Sequence, residues 1–124
     1  MTSTHSTRTF TALETTAQFE TLVEESNVRP VVIFKHSPTC GTSAQAYDDL
    51  ETYLGAPDAV DLHLVDVLRS RPLSHAIASR FGVRHESPQL LLLIDGQVRW
   101  NGSHWRVNGD ELRNALRAAG SVRT

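Results

Sequence analysis

A chain of 124 residues is the size of one domain and long enough to bury a core without staples, and with a single cysteine it forms no intramolecular disulfide. Its 12 basic and 14 acidic side chains leave a formal charge of −2, which gives no electrostatic reason to expect nucleic acid as a partner. The stretch Met1 to Arg8 lacks the apolar centre of a secretory signal and no later run approaches membrane-spanning length, so a soluble, cytoplasmic protein without membrane association is expected.

Residues 1–12 read as a polar leader, 13–120 as one domain and 121–124 as a tail. Thr16 is the expected cap of a first helix that shows Phe19, Leu22 and Val23 on one face and stops near Asn27. Pro30 turns the chain into a strand, Val31 to Lys35, whose unbroken apolar stretch suits burial on both faces. From Cys40 onward Ala44, Tyr47, Leu50 and Leu54 recur at helical spacing until Gly55-Ala56-Pro57. Asp61 to Val67 reads as the next strand. Ser70-Arg71-Pro72 supplies a cap and a first-turn proline for a helix through Leu73, Ile77 and Phe81 that Gly82 ends. After a loop from Val83 to Pro88, Leu90 to Ile94, a turn at Asp95-Gly96 and Gln97 to Trp100 form a hairpin. Asn108 with Glu111 resembles a capping box opening a last helix through Leu112, Ala115, Leu116 and Ala119. The order αβαβαββα is that of an α/β fold, a central mixed sheet flanked by helices.

Within that order the informative place is Thr39-Cys40-Gly41-Thr42-Ser43, directly after the first strand. A thiol at a helix N-terminus meets unpaired N–H groups and the positive end of the helix dipole, both of which favour the nucleophilic thiolate. Ser43 stands where a two-cysteine redox motif carries its second sulfur, so thiol chemistry here runs through a mixed disulfide with another molecule.

A strand leading to a cysteine at a helix start, a further β-α pair, an X-Pro step before a hairpin and a closing helix together resemble the thioredoxin fold. In that fold the proline is cis and faces the reactive cysteine, which makes Ser87-Pro88 a candidate cis bond, with a trans proline opening the strand as the alternative. Lys35-His36-Ser37, Arg71 to Ser74, Phe81 to Gln89, and Trp100 followed by Ser103-His104-Trp105 narrow the resemblance to the monothiol bacilliredoxins, the YtxJ-like bacillithiol-system proteins. Gly41-Thr42 fills two positions where that family favours Pro-Ile. The resemblance implies a thiol-disulfide oxidoreductase: the Cys40 thiolate attacks the bacillithiol sulfur of a protein mixed disulfide, frees the target thiol and is left bacillithiolated. It implies bacillithiol as co-substrate with no tightly bound cofactor, and as partners bacillithiolated proteins and a regenerating low-molecular-weight thiol.

On the same reading Ser43 is positioned one turn into the helix to donate a hydrogen bond to the thiolate, or is an ordinary first-turn polar residue. Thr39, Gly41 and Thr42 surround the sulfur in sequence, and Ser87 and Pro88 shape the substrate groove, because backbone before a cis-proline pairs with a peptide crossing the cysteine. His36 and His85 are candidates for thiolate stabilisation or substrate contact. Lys35, Arg69, Arg71 and Arg84 either attract an anionic thiol such as bacillithiol, which carries a malate group, or are solvated surface charge. His36, His85 and His104 with Cys40 match no zinc spacing, so no metal is expected. His5, His63 and His75 read as solvated loop histidines, and Trp100 and Trp105 as core or strand-end packing. Two rivals remain: a monothiol glutaredoxin-like iron–sulfur protein, since Cys40-Gly41-Thr42-Ser43 differs from Cys-Gly-Phe-Ser at one position, and a non-catalytic redox-sensing module that uses the groove beside Pro88.

Overall fold

Two strands apolar on both faces need helices above and below them, and the computed structural model, which describes residues 8–123, with side chains to residue 120, has that layering. The elements in chain order are β1 (Thr11–Ala12), α1 (Thr16–Glu25), β2 (Val31–His36), α2 (Gly41–Leu54), β3 (Leu62–Asp66), α3 (Arg71–Phe81), β4 (Gln89–Ile94), β5 (Gln97–Ser103), a 3₁₀ turn (His104–Arg106) and α4 (Gly109–Arg123). The sheet order is β1-β3-β2-β4-β5. β1, β3 and β2 run parallel, and β4 and β5 return antiparallel, with Val32 opposite Leu92 and Phe34 opposite Leu90.

Alternation along β2 and β4 divides the core. Val32, Phe34, Leu90 and Leu92 face α2 and α4 through Leu50, Leu54 and Leu112. Ile33, Leu91 and Leu93 face the other way, onto Phe19, Leu22 and Ile77 of α1 and α3. Each of these buried side chains contributes about 1.5–3 kcal/mol relative to exposure, which commits the register: a slip of one residue would turn the whole set over.

Several expectations need correcting. The leader 1–12 is not outside the fold, because β1 lies in it, pairing Thr11 with His63 and Ala12 with Leu64, while Phe10 packs on Phe34 and Tyr47; residues 1–7 lie outside the described part. The cap of α1 is Thr15 rather than Thr16, in a full capping box with Gln18. Ser70 precedes α3 without a side-chain capping bond. Ala44 is exposed, and the inner face of α2 carries Ser43, Ala46, Leu50, Tyr53 and Leu54. β5 continues beyond Trp100 to Ser103, with a bulge that skips Arg99, and α4 runs through the supposed tail to Arg123. The remaining punctuation is as read. Gly82 ends α3 at φ 63°, Asp95 and Gly96 turn the hairpin with φ 55° and 76°, and Asn108 Oδ1 accepts from Glu111 N–H at 2.9 Å.

Candidate functional site

The parallel and antiparallel pairings bring the ends of β3, β2 and β5 and the start of β4 to one edge of the sheet, so the loops that follow or precede them meet there. Cys40 sits at this edge as the N-cap of α2, half-exposed, with extended backbone (φ −104°, ψ 127°). Its N–H donates to the Ser37 carbonyl at 3.1 Å and its carbonyl accepts from Ala44 N–H at 3.0 Å, while its side chain makes no capping bond. The sulfur is therefore held by backbone at the positive end of a 14-residue helix and left uncommitted. Thr39 and Gly41 on either side are exposed, and Thr42 is half-buried.

Ser43 has another task than the one expected of it. Its side chain is fully buried, and its Oγ accepts from Ser37 N–H at 2.9 Å and lies 2.8 Å from His36 Nδ1, so the hydroxyl brackets the loop that carries Cys40 instead of donating to the sulfur. The hydroxyl thus joins the imidazole of His36 to the backbone of Ser37. Burial pushes the His36 pKa down, against the attraction of Asp66, and the ring packs between Phe34 and Tyr47.

Lys35 is not the solvated surface charge of one sequence reading. It is fully buried on the α1–α3 face, where Nζ donates to the Ser74 carbonyl at 3.0 Å and lies 3.3 Å from His85 Nδ1. Desolvation lowers its pKa to about 8. His85 Nδ1 also lies 3.1 Å from Ser74 Oγ, and desolvation, then Lys35 and His75, hold the imidazole pKa below its ordinary value.

The next segment, residues 84–88, leads to a cis Ser87–Pro88 peptide. Pro88 is buried and its carbonyl accepts from His104 N–H at 3.0 Å. Glu86 holds His104 Nε2 at 3.0 Å and Arg84 at 3.4 Å; the Arg84 side chain is 90% exposed. Gln89 Nε2 donates to the Arg84 carbonyl, whereas Gln89 Oε1 and Ser87 Oγ are buried without a partner. Arg69 and Arg71 are exposed at the same edge.

His36, His85 and His104 thus have separate partners, and the described residues contain no group of three His, Cys, Asp or Glu able to hold a metal. His63 is not a loop residue but lies half-buried in β3, its pKa lowered by desolvation, and His75 is exposed on α3 with its ring 5.3 Å from that of His85. Trp100 packs against the core and under Arg106, whereas Trp105 is 80% exposed, beside a groove of about 240 Å³ lined by Thr42, Gln45 and Asn108. Sequence reading missed Ser74, although its place on the Leu73–Ile77 stripe of α3 marks it as inward-facing. It also assigned no role to Glu86, although that residue lies in the Phe81 to Gln89 segment that carries the resemblance.

Residues 11–112 match the family described as monothiol bacilliredoxin BrxC. Among solved structures the chain is similar to one described as a candidate oxidoreductase with a thioredoxin fold, at 37% identity over 85% of this chain and 91% of that one, with a TM-score of 0.76. Thioredoxin from Fasciola hepatica superposes with a TM-score of 0.69 at 22% identity, covering 88% of this chain and 98% of that one. Thioredoxin from Trypanosoma brucei brucei gives 0.73 at 16% identity over 98% and 99%.

Proposed function

This chain belongs to the monothiol bacilliredoxin family and is a thiol-disulfide oxidoreductase of the thioredoxin fold, and we propose that it removes bacillithiol from protein mixed disulfides through Cys40 alone. The observation that carries the reading is the position of Cys40, the single cysteine of the chain, half-exposed at the α2 N-terminus with no hydrogen bond from Ser43 to its sulfur.

In the first step the Cys40 thiolate attacks the bacillithiol sulfur of the mixed disulfide. A new Cys40–bacillithiol disulfide forms, the old sulfur–sulfur bond breaks, and the target cysteine leaves as a thiolate that takes a proton from water. No net oxidation or reduction has occurred. With serine at position 43 there is no second sulfur to expel the adduct, so a low-molecular-weight thiol from solution regenerates Cys40 by the same exchange.

Thr39, Gly41, Thr42 and the backbone of the Ser87–Pro88 edge form the approach to the sulfur. Arg84, extended into solvent beside Glu86, is the cation suited to the carboxylates of bacillithiol. His36 acts from below by keeping the Cys40 loop in place with Ser43. A reducing, cytoplasmic setting suits a reactive free thiol.

Intact mass after incubation with bacillithiol disulfide, and separately with glutathione disulfide, tests the assignment. One adduct per chain is expected, forming faster from bacillithiol disulfide and absent in Cys40→Ser. Equal rates from both disulfides would remove bacillithiol as the specific co-substrate, and an adduct on Cys40→Ser would remove Cys40 as the nucleophile.

A further inference from the structure

Among the described residues Lys35 is the one charged side chain that is fully buried, and no carboxylate is paired with it. An ammonium group placed there is costly and persists only where its donors are used. Two of its three donors have defined acceptors, and both belong to segments at the Cys40 edge: the Ser74 carbonyl in the first turn of α3, and Nδ1 of His85 in the loop before Pro88. The ammonium thereby ties β2, the strand before the Cys40 loop, to the loop that leads into the cis Ser87–Pro88 bond.

The contact also decides the chemistry of His85. A nitrogen that accepts from Lys35 and faces the Ser74 hydroxyl at 3.1 Å carries no proton, so the ring is neutral and its proton sits on Nε2. The other charges around it act in the same sense. From α3 the ring faces His75 and Arg71, both of which oppose a charged imidazole, and only Glu86 in its own loop favours one. Around Lys35 itself stand Ser74, His85 and, opposite in the β4 register, the uncharged Gln89.

We propose that Lys35 is a positioning residue for thiol exchange: through His85 it fixes the loop before Pro88 and locks the imidazole as a neutral Nε2–H donor for an anionic group of the substrate, either a carboxylate or the departing thiolate. The proposal rests on exchange at Cys40, but its primary readout does not. In ¹H–¹⁵N spectra of the full chain, His85 is the Nε2–H tautomer and titrates below the ordinary 6.5; in Lys35→Met its midpoint moves up toward 6.5. An Nδ1–H tautomer, or the same midpoint in both proteins, overturns the proposal. Should Lys35→Met not fold, two variants of His85 decide. Glutamine can accept from Lys35 through Oε1 and donate through Nε2, so His85→Gln keeps kcat/KM for glutathione disulfide within about threefold, whereas His85→Leu loses about tenfold, the scale of one hydrogen bond to a charged group. Equal activities in the two variants also overturn it. Running the same pair with 2-hydroxyethyl disulfide separates the acceptors: a loss confined to glutathione disulfide assigns the carboxylate, and an equal loss with both assigns the thiolate. If exchange survives in Cys40→Ser, the reading of Cys40 fails while the His85 titration still stands or falls by itself.

Discussion

Replacing Ser43 by alanine separates two roles for the residue that occupies the second position of the redox motif. The hydroxyl is fully buried and serves Ser37 N–H at 2.9 Å and His36 Nδ1 at 2.8 Å. Each bond contributes about 1 kcal/mol net, and deletion also leaves two desolvated partners unpaired, so the cost of Ser43→Ala is about 2–3 kcal/mol. A domain of this size moves by roughly 4 °C per kcal/mol, which puts the fall in Tm near roughly 10 °C. Thermal and urea unfolding followed by circular dichroism measure it, alongside the rate at which iodoacetamide alkylates Cys40. Because the hydroxyl makes no bond to the sulfur, that rate should change less than about threefold, well short of the loss of a hydrogen bond to a charged group. A stability within about 0.5 kcal/mol of wild type, the range of an ordinary surface change, combined with alkylation slowed by tenfold or more, would refute the bracket and return Ser43 to the thiolate.

The buried Lys35 predicts a pH dependence of stability with a defined sign. Its pKa is about 8 when folded against 10.5 as an ordinary lysine, so between those values the unfolded chain holds a proton that the folded one has released, and stability rises with pH. Urea unfolding should show a slope of up to about 1.4 kcal/mol per pH unit in that window, absent in Lys35→Met; equal slopes in both proteins would contradict the burial of a titrating ammonium. Gly41→Pro is expected to fold with about 0.5–1 kcal/mol of added stability, because position 41 opens α2, nothing lies within 4 Å of a Cβ there, and Cys40 already has the extended backbone that precedes proline. The same change removes an N–H at the helix start and should slow alkylation of Cys40 near neutral pH; an unaltered rate would mean that this N–H is not directed at the sulfur. Arg84→Glu should raise KM for bacillithiol disulfide more than for 2-hydroxyethyl disulfide, with the gap closing at high salt, and a salt-independent, substrate-indifferent effect would reduce Arg84 to surface charge.

The parts of the fold legible from sequence were those governed by local rules. Val31 to Phe34 and Leu90 to Ile94 are apolar at both parities and end at turn residues, and Asp95-Gly96 has the composition of a tight hairpin turn. β1 was not legible, since it is two exposed residues whose strand conformation comes from pairing with β3 about fifty positions away. Lys35 misleads through its charge, which outweighed its parity: it shares a face with Val31 and Ile33, both buried. Ser43 stands three and seven residues before Ala46 and Leu50, the inner stripe of α2, so its burial was written in the spacing while its partners were not. Trp105 shows the limit of reading hydrophobicity alone. The chain turns at His104 with φ 57°, held by its N–H to the Pro88 carbonyl, and the indole after it stands in solvent beside Thr42.

The most direct test of the central claim is transfer itself. A protein carrying one bacillithiol mixed disulfide is incubated with a substoichiometric amount of this chain and a reducing low-molecular-weight thiol, and both proteins are followed by intact mass. Repeated release of bacillithiol from the substrate, with a transient single adduct on the wild-type chain and none of either on Cys40→Ser, is the predicted result. Equal stripping by Cys40→Ser, or a wild-type chain that takes one adduct and leaves the remaining substrate modified, would contradict catalysis through this single cysteine.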